Sequence, residues 1–125
     1  MSALQRALPA VLALAAAGCG EHSYSAAMEE RTKAQEEFLG ILRTIKDPAS
    51  MQAASDTLAR SFERLAQTNS RMNKMHPPNL EVKERLAKDY GPRLQAALSA
   101  SLRELGRIGD LPGGQEFIDR LKNMK

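Results

Sequence analysis

Apolar residues recur every three, four or seven positions along most of this chain, which is the spacing of one face of an α-helix. The clearest series is Met51, Leu58, Leu65 and Met72, in which successive members are seven positions apart. No stretch of useful length alternates apolar and polar residues, the pattern that predicts a half-buried β-strand. The sequence therefore predicts an all-α fold.

Capping and helix-breaking residues divide the periodic part into segments. Asp47 and Pro48 suit an N-cap and a first helical position, so one helix ends before them and the next begins there. Two prolines in residues 76–79 end the second helix, and the turn-forming residues 109–114 end the third. The predicted helices span residues 25–46, 48–74, 80–108 and 115–123.

Glycine occurs inside two of these predicted helices. Gly91 and Pro92 interrupt the third one, which could either split there or continue with a kink. We favour a kink, because the apolar series of this helix stays in phase across the interruption. The series, which we expect to face the core, comprises Val82, Leu86, Tyr90, Leu94, Ala97, Leu98, Leu102 and Leu105. Gly40 lies inside the first helix and would allow another helix to approach closely.

The connections between the three long helices are short, which predicts that neighbouring helices run antiparallel. We therefore predict an antiparallel three-helix bundle with a short C-terminal fourth helix, occupying residues 25–125. The chain has no Trp, 2 Tyr and 3 Phe. The core would consequently be aliphatic and thin, and an aromatic-rich ligand pocket is not expected.

The first 18 residues differ from the rest of the chain. They carry one charge, Arg6, followed by the apolar run ALPAVLALAAAG over residues 7–18. That run is too short to span a bilayer as a helix, which takes about 20 residues. A basic start, a short apolar stretch and small residues at its end predict a secretory signal peptide rather than a buried helix of the domain.

The end of this run, LAAAGC over residues 14–19, resembles a bacterial lipobox, in which small residues precede an invariant cysteine. Ala16 stands where the family prefers Leu. The resemblance implies that the thiol of Cys19 receives a diacylglycerol, and that cleavage before Cys19 frees an amine that is often acylated too. Two or more acyl chains anchor a protein stably. Cys19 is the sole cysteine, so no intramolecular disulfide can form.

This resemblance predicts a location in the bacterial cell envelope. Residues 1–18 would be the signal peptide, residues 19–24 a mobile lipidated tether, and residues 25–125 a domain facing the periplasm or the exterior. Gly20 follows the cysteine where Asp would favour retention, by resemblance to enterobacterial sorting, and this leaves delivery to the outer membrane open.

Charge in the expected mature part is nearly balanced. Of the 18 Lys and Arg residues only Arg6 precedes Cys19, while all 15 Asp and Glu residues follow it, so the net charge after cleavage is +2. A nucleic-acid partner usually requires a clustered basic face. The composition therefore predicts no nucleic-acid partner, and most charges are expected on solvated helix surfaces.

Met72, Met75 and His76 are the one cluster that resembles a metal site, because thioether and imidazole ligands suit Cu(I). A Met/His pair could also ligate haem. Met72 belongs to the seven-residue series, however, and is better explained as a core residue. No second His or Cys completes the site, so we predict neither a bound metal nor a cofactor.

No catalytic arrangement stands out. The pairs Glu29–Glu30 and Glu36–Glu37 are adjacent on helices and do not share a face, and no serine has a placed His and Asp partner. The sequence thus favours a membrane-anchored, non-enzymatic envelope lipoprotein whose domain binds another envelope protein or has a structural role. The alternative is a periplasmic metal- or haem-binding bundle.

Overall fold

The computed structural model describes residues 20–123, and this part of the chain forms helices and no β-strand. The predicted all-α fold is therefore confirmed. Its helices are α1 (Gly20–Arg43), α2 (Pro48–Lys74), α3 (Leu80–Gly109) and α4 (Gly114–Lys122). The predicted signal peptide and Cys19 lie outside the described residues.

Helix α1 differs from the prediction at both ends. It begins at Gly20, so residues 20–24, which we expected to form a mobile tether, are helical. Extending an existing helix by one residue costs much less than starting one, and this offsets the poor propensity of Gly and Ser. The helix ends at Arg43, where the amide of Thr44 donates to the Ile41 carbonyl at 3.0 Å and closes the last turn.

Helix α2 has the predicted bounds, and a reciprocal cap fixes its start. The carboxylate of Asp47 accepts from the Ser50 amide at 2.8 Å, and the Ser50 hydroxyl accepts from the Asp47 amide at 3.0 Å. These bonds satisfy amide groups that the first helical turn leaves unpaired. Because the cap and Pro48 are all local in sequence, this boundary was readable from the sequence alone.

Helix α3 continues through Pro92 as a single element, as the in-phase apolar series predicted. Asn79 caps its start by accepting from the Val82 amide at 3.0 Å. At its other end the chain turns into α4 through Gly113, which has a φ of 76°. A left-handed backbone of this kind favours glycine, because glycine has no Cβ atom to clash with the backbone.

The long helices form the predicted antiparallel bundle, with α1 in the central position. Contacts of Arg71 with Glu30 and of Arg64 with Glu37 show that α2 runs antiparallel to α1. The side chain of Gln35 lies against Ser101, and the Leu42 carbonyl accepts from Arg107, so α3 runs parallel to α1. No Cα atom of α2 lies within 8 Å of a Cα atom of α3.

The hydrophobic core follows the apolar faces predicted for α1 and α2. Leu42, Ile45 and Leu58 are completely buried, together with Ile108 from α3. Helix α4 closes one end of the bundle by adding three side chains to this core. The core cluster comprises Ala34, Phe38, Leu42, Ile45, Met51, Leu58, Leu65, Ile108, Phe117, Ile118 and Leu121.

Candidate functional site

The main candidate site is a groove between α2 and α3, with α1 as its floor. Its volume is about 310 Å³. We call it the α2–α3 groove. It is lined by Gln35, Phe38, Phe62, Leu65, Ala66, Asn69, Leu98, Ser101, Leu102 and Leu105.

The groove exists because two flanking helices both pack against a central helix while their backbones stay apart. In a four-helix bundle, a fourth helix would fill the space opposite α1. Here α4 contacts both α2 and α3, but its nine residues span only about 14 Å at 1.5 Å per residue. The much longer α2 and α3 extend beyond α4, and the α2–α3 groove opens along that uncovered part.

Leu102 is the one exposed leucine among the residues that line the groove. We predicted it on the buried face of α3, but 71% of its surface is accessible to solvent. Ala97 is buried instead, and so is Ser101, which contacts Gln35 of α1. The apolar arc of α3 is wider than one neighbouring helix can cover, so its outer leucine remains outside the core.

Aromatic and aliphatic groups form most of the groove surface. The rings of Phe38 and Phe62 lie 6.1 Å apart with an interplanar angle of 50°, within the range of favourable aromatic pairs. Each of the three long helices contributes apolar side chains to the lining, and no lining residue is charged. A partner surface that fills this groove would therefore have to be apolar.

One buried hydrogen bond crosses the floor of the groove. Nε2 of Gln35 donates to Oγ of Ser101 at 3.1 Å, and both residues are buried. Buried amides and hydroxyls are costly unless they are paired. The bond therefore satisfies polar groups at the α1–α3 contact and helps to fix how these helices pack.

The outer side of α1 is charged, in contrast to the groove. Arg93 of α3 lies 2.7 Å from Glu36 and 3.5 Å from Glu29, measured between guanidinium nitrogen and carboxylate oxygen. The hydrogen bond with Glu36 raises the pKa of Arg93 above its ordinary value. The molecule thus has an ion-paired face on the outer side of α1 and an uncharged groove between the flanking helices.

A second depression, of about 360 Å³, lies between the start of α2 and α4. Its walls combine apolar groups such as Met51 and Phe117 with the polar side chains of Ser55, Glu116 and Arg120. These charged residues are exposed, and no metal-like or nucleophilic cluster is formed there by the described residues. The α2–α3 groove differs in that three helices line it and none of its lining residues is charged, and this makes it the main candidate.

The three residues that resembled a metal site, Met72, Met75 and His76, lie in different environments. Met72 is buried in the α2 stripe, as its seven-residue spacing predicted. Met75 is the C-cap of that helix and donates its amide to the Met72 carbonyl at 3.1 Å, whereas His76 lies exposed in the following connection. Among residues 20–123, no three His, Cys, Asp or Glu side chains are grouped so that they could hold a metal ion.

The groove was not identified from the sequence, although a signal for it was present. Leu94, Leu98, Leu102 and Leu105 form an apolar row beside the row that contains Ala97 and Ser101. Two such rows on one helix indicate two apolar neighbours. We expected the whole apolar series of α3 to face one core, and this is why the open side of α3 was missed.

The described residues thus define an all-α bundle with one uncharged, partly open groove. Within them, no helix combines the length and the hydropathy needed to cross a membrane. Comparisons with protein-family models, with curated proteins and with solved structures gave no match to this chain.

Proposed function

We propose that this protein is a non-catalytic bacterial lipoprotein, anchored to a cell-envelope membrane through Cys19, whose helical domain binds another protein. The observation that carries the binding role is the uncharged α2–α3 groove with the exposed Leu102 at its edge. The lipobox-like residues 14–19 support the anchor. The outer membrane is one destination compatible with this proposal.

A lipid at Cys19 would hold the bundle directly at the membrane surface. Helix α1 begins at Gly20, the residue after Cys19, so few residues would separate the lipid from the fold. The C-terminal end of α2 and the N-terminal end of α3 lie at the same end of the bundle as the start of α1. Helix α4 would then be the part farthest from the membrane, and the groove would open sideways.

The groove suits a protein partner better than a small polar ligand or a nucleic acid. An amphipathic helix can lay an apolar face into an uncharged groove of this kind, and leucine and phenylalanine walls provide the contact area. A nucleic acid would require clustered cations, which the groove lining lacks. The polar floor atoms are already paired with each other, so they do not form a reactive group.

The anchor is tested by replacing Cys19 with Ser in the full-length precursor. We expect the wild-type protein to incorporate labelled fatty acid and to be cleaved before residue 19. Cys19→Ser should incorporate none and should accumulate as precursor. Fatty acid in the variant, or a mature N-terminus elsewhere, would contradict the anchoring part of the proposal.

Binding is tested separately by photocrosslinking in native membranes. A photoreactive analogue of leucine replaces Leu102, and the control carries a photoreactive residue in place of Gln67, which is exposed on α2 outside the groove lining. We expect a discrete higher-mass protein adduct from position 102 and none from position 67. If neither position yields a protein adduct, the groove is not a protein-binding site.

A further inference from the structure

We infer that the groove binds a second copy of the same chain, so that the protein forms a symmetric dimer through its α2–α3 face. This inference rests on the proposed function and names the partner for its site. It is drawn from the shape and the charge of the groove, together with the position of the predicted anchor.

The first argument is that the groove face carries both a projection and a cavity. Leu102 projects from α3 with 71% of its surface accessible, and beside it lies a cavity of about 310 Å³ between the two helices. In a twofold interface the same patch lies on both partners, so a contact between a projection on one copy and a cavity on the other is made twice. Leu102 of each copy can enter the cavity of the other, against Phe62 and Ala66.

The second argument is the absence of charge. Near a twofold axis, a charged side chain meets the same charge on the other copy, and like charges placed together oppose association. All ten residues that line the groove are uncharged. Charged residues lie outside this lining: Glu36 and Arg93 form an ion pair on the outer side of α1. On the other side of Ala66, the nearby charges of Glu63, Arg71 and Lys74 are of both signs, so they do not place a single-sign field at the edge of the groove.

The third argument is the direction in which the groove opens. With the start of α1 at the membrane, the groove faces sideways, and two copies can pair side by side while both anchors remain in one membrane. In that arrangement the twofold axis is parallel to the bundle axis, so the two Leu102 side chains lie at the same height. Tethering also raises the effective concentration of one copy near another.

Sedimentation velocity of the full lipidated protein in density-matched detergent tests the inference. We expect the wild-type protein to be a dimer and Leu102→Asp to weaken its association by about tenfold or more, because an unpaired carboxylate would be placed in an apolar interface. The matched control is Leu80→Asp. Leu80 is on the same helix and is also 71% exposed, but it lies outside the groove lining. It should leave the dissociation constant unchanged.

Photocrosslinking identifies the contact directly. Two preparations of the protein, one ¹⁵N-labelled and one carrying the photoreactive leucine analogue at position 102, are mixed and irradiated. We expect a product of twice the mass of the chain, with the crosslink at or next to Phe62 or Ala66 of the labelled copy. Circular dichroism confirms in parallel that the Asp variants remain folded.

A wild-type protein that is monomeric over the whole concentration range would overturn the inference, and so would equal weakening by the two Asp substitutions. If Leu102→Asp does not fold, the crosslink to the labelled copy decides the question. In native membranes, a crosslink from position 102 exclusively to a different protein would also overturn the dimer. That result would leave the proposed protein-binding function in place.

Discussion

The space available for an added methyl group differs sharply between two glycine positions in this fold. Gly40 lies inside α1, and a Cβ atom added there would meet nothing within 4 Å. The close helix approach that Gly40 would have allowed therefore does not occur. At Gly114, by contrast, the added Cβ would lie 1.7 Å from the Ile108 carbonyl oxygen, so the start of α4 packs directly against the end of α3.

Gly40→Ala is expected to stabilise the domain by about 0.5–1 kcal/mol, because alanine loses less backbone entropy in a helix and finds open space. Gly114→Ala should destabilise it by roughly 1–3 kcal/mol through overpacking. Chemical denaturation of the two variants measures both effects. The assigned environments would be incorrect if both substitutions shifted the free energy of unfolding in the same direction.

The titration of Asp47 is expected to make the stability of the folded domain depend on pH. Hydrogen bonds from the backbone and side chain of Ser50 lower the pKa of Asp47 below its ordinary value of 3.8. A carboxyl group whose pKa falls on folding stabilises the folded state above its unfolded pKa. That contribution is lost as the pH decreases through the lower, folded-state pKa.

Asp47→Asn separates this titration from the cap itself, because an asparagine oxygen can accept the same bond but does not titrate in this range. As the pH decreases from about 5 to 2, the wild-type protein should lose more stability than Asp47→Asn does. Thermal melting of the two proteins across this range provides the measurement. Parallel pH profiles would show that the cap contributes no pH dependence.

At the scale of the element, α2 shows how a seven-residue series determines which side of a helix is buried. Leu58 has no accessible surface, whereas Gln67 is exposed on the outer side of the same helix. Leu58→Ala should therefore destabilise the domain by about 2–5 kcal/mol, against roughly 0.5 kcal/mol or less for Gln67→Ala. Equal shifts in the denaturation midpoint would mean that the buried face of α2 is misassigned.

Helix boundaries and buried faces were predictable wherever local chemistry determines them. The Asp47–Pro48 start and the proline-rich end of α2 are set by residues next to the boundary, and both predictions are confirmed. The start of α1 at Gly20 was not predicted, because extending a helix depends on the residues that follow more than on one Gly or Ser. Sequence patterning identified the helices better than their ends.

The candidate site could not be predicted in the same way, because it depends on how far apart two helices lie. Leu102 continues the apolar row of α3, and periodicity alone cannot tell whether that row faces the core or an open groove. The answer depends on α1 packing against both flanking helices while these remain separate from each other. That separation follows from packing across the whole bundle and not from any one segment.

At the scale of the whole molecule, α4 is the second element, besides α1, that contacts both α2 and α3 within residues 20–123. A helix of nine residues is too short to be stable in isolation. Its stability must therefore come from burying Phe117, Ile118 and Leu121 in the shared core. Those side chains also fill the space between α2 and α3 at the end of the bundle away from the groove.

This arrangement predicts that a destabilising substitution in α4 also destabilises α2 and α3. Phe117→Ala should destabilise the domain by about 3–5 kcal/mol, whereas Gln115→Ala, an exposed change in the same helix, should have little effect. Amide hydrogen exchange should show reduced protection around Leu58 in α2 and Ile108 in α3, as well as in α4 itself. If only α4 lost protection, it would be an independent cap, and the separation of α2 and α3 that forms the groove would depend on their packing against α1 alone.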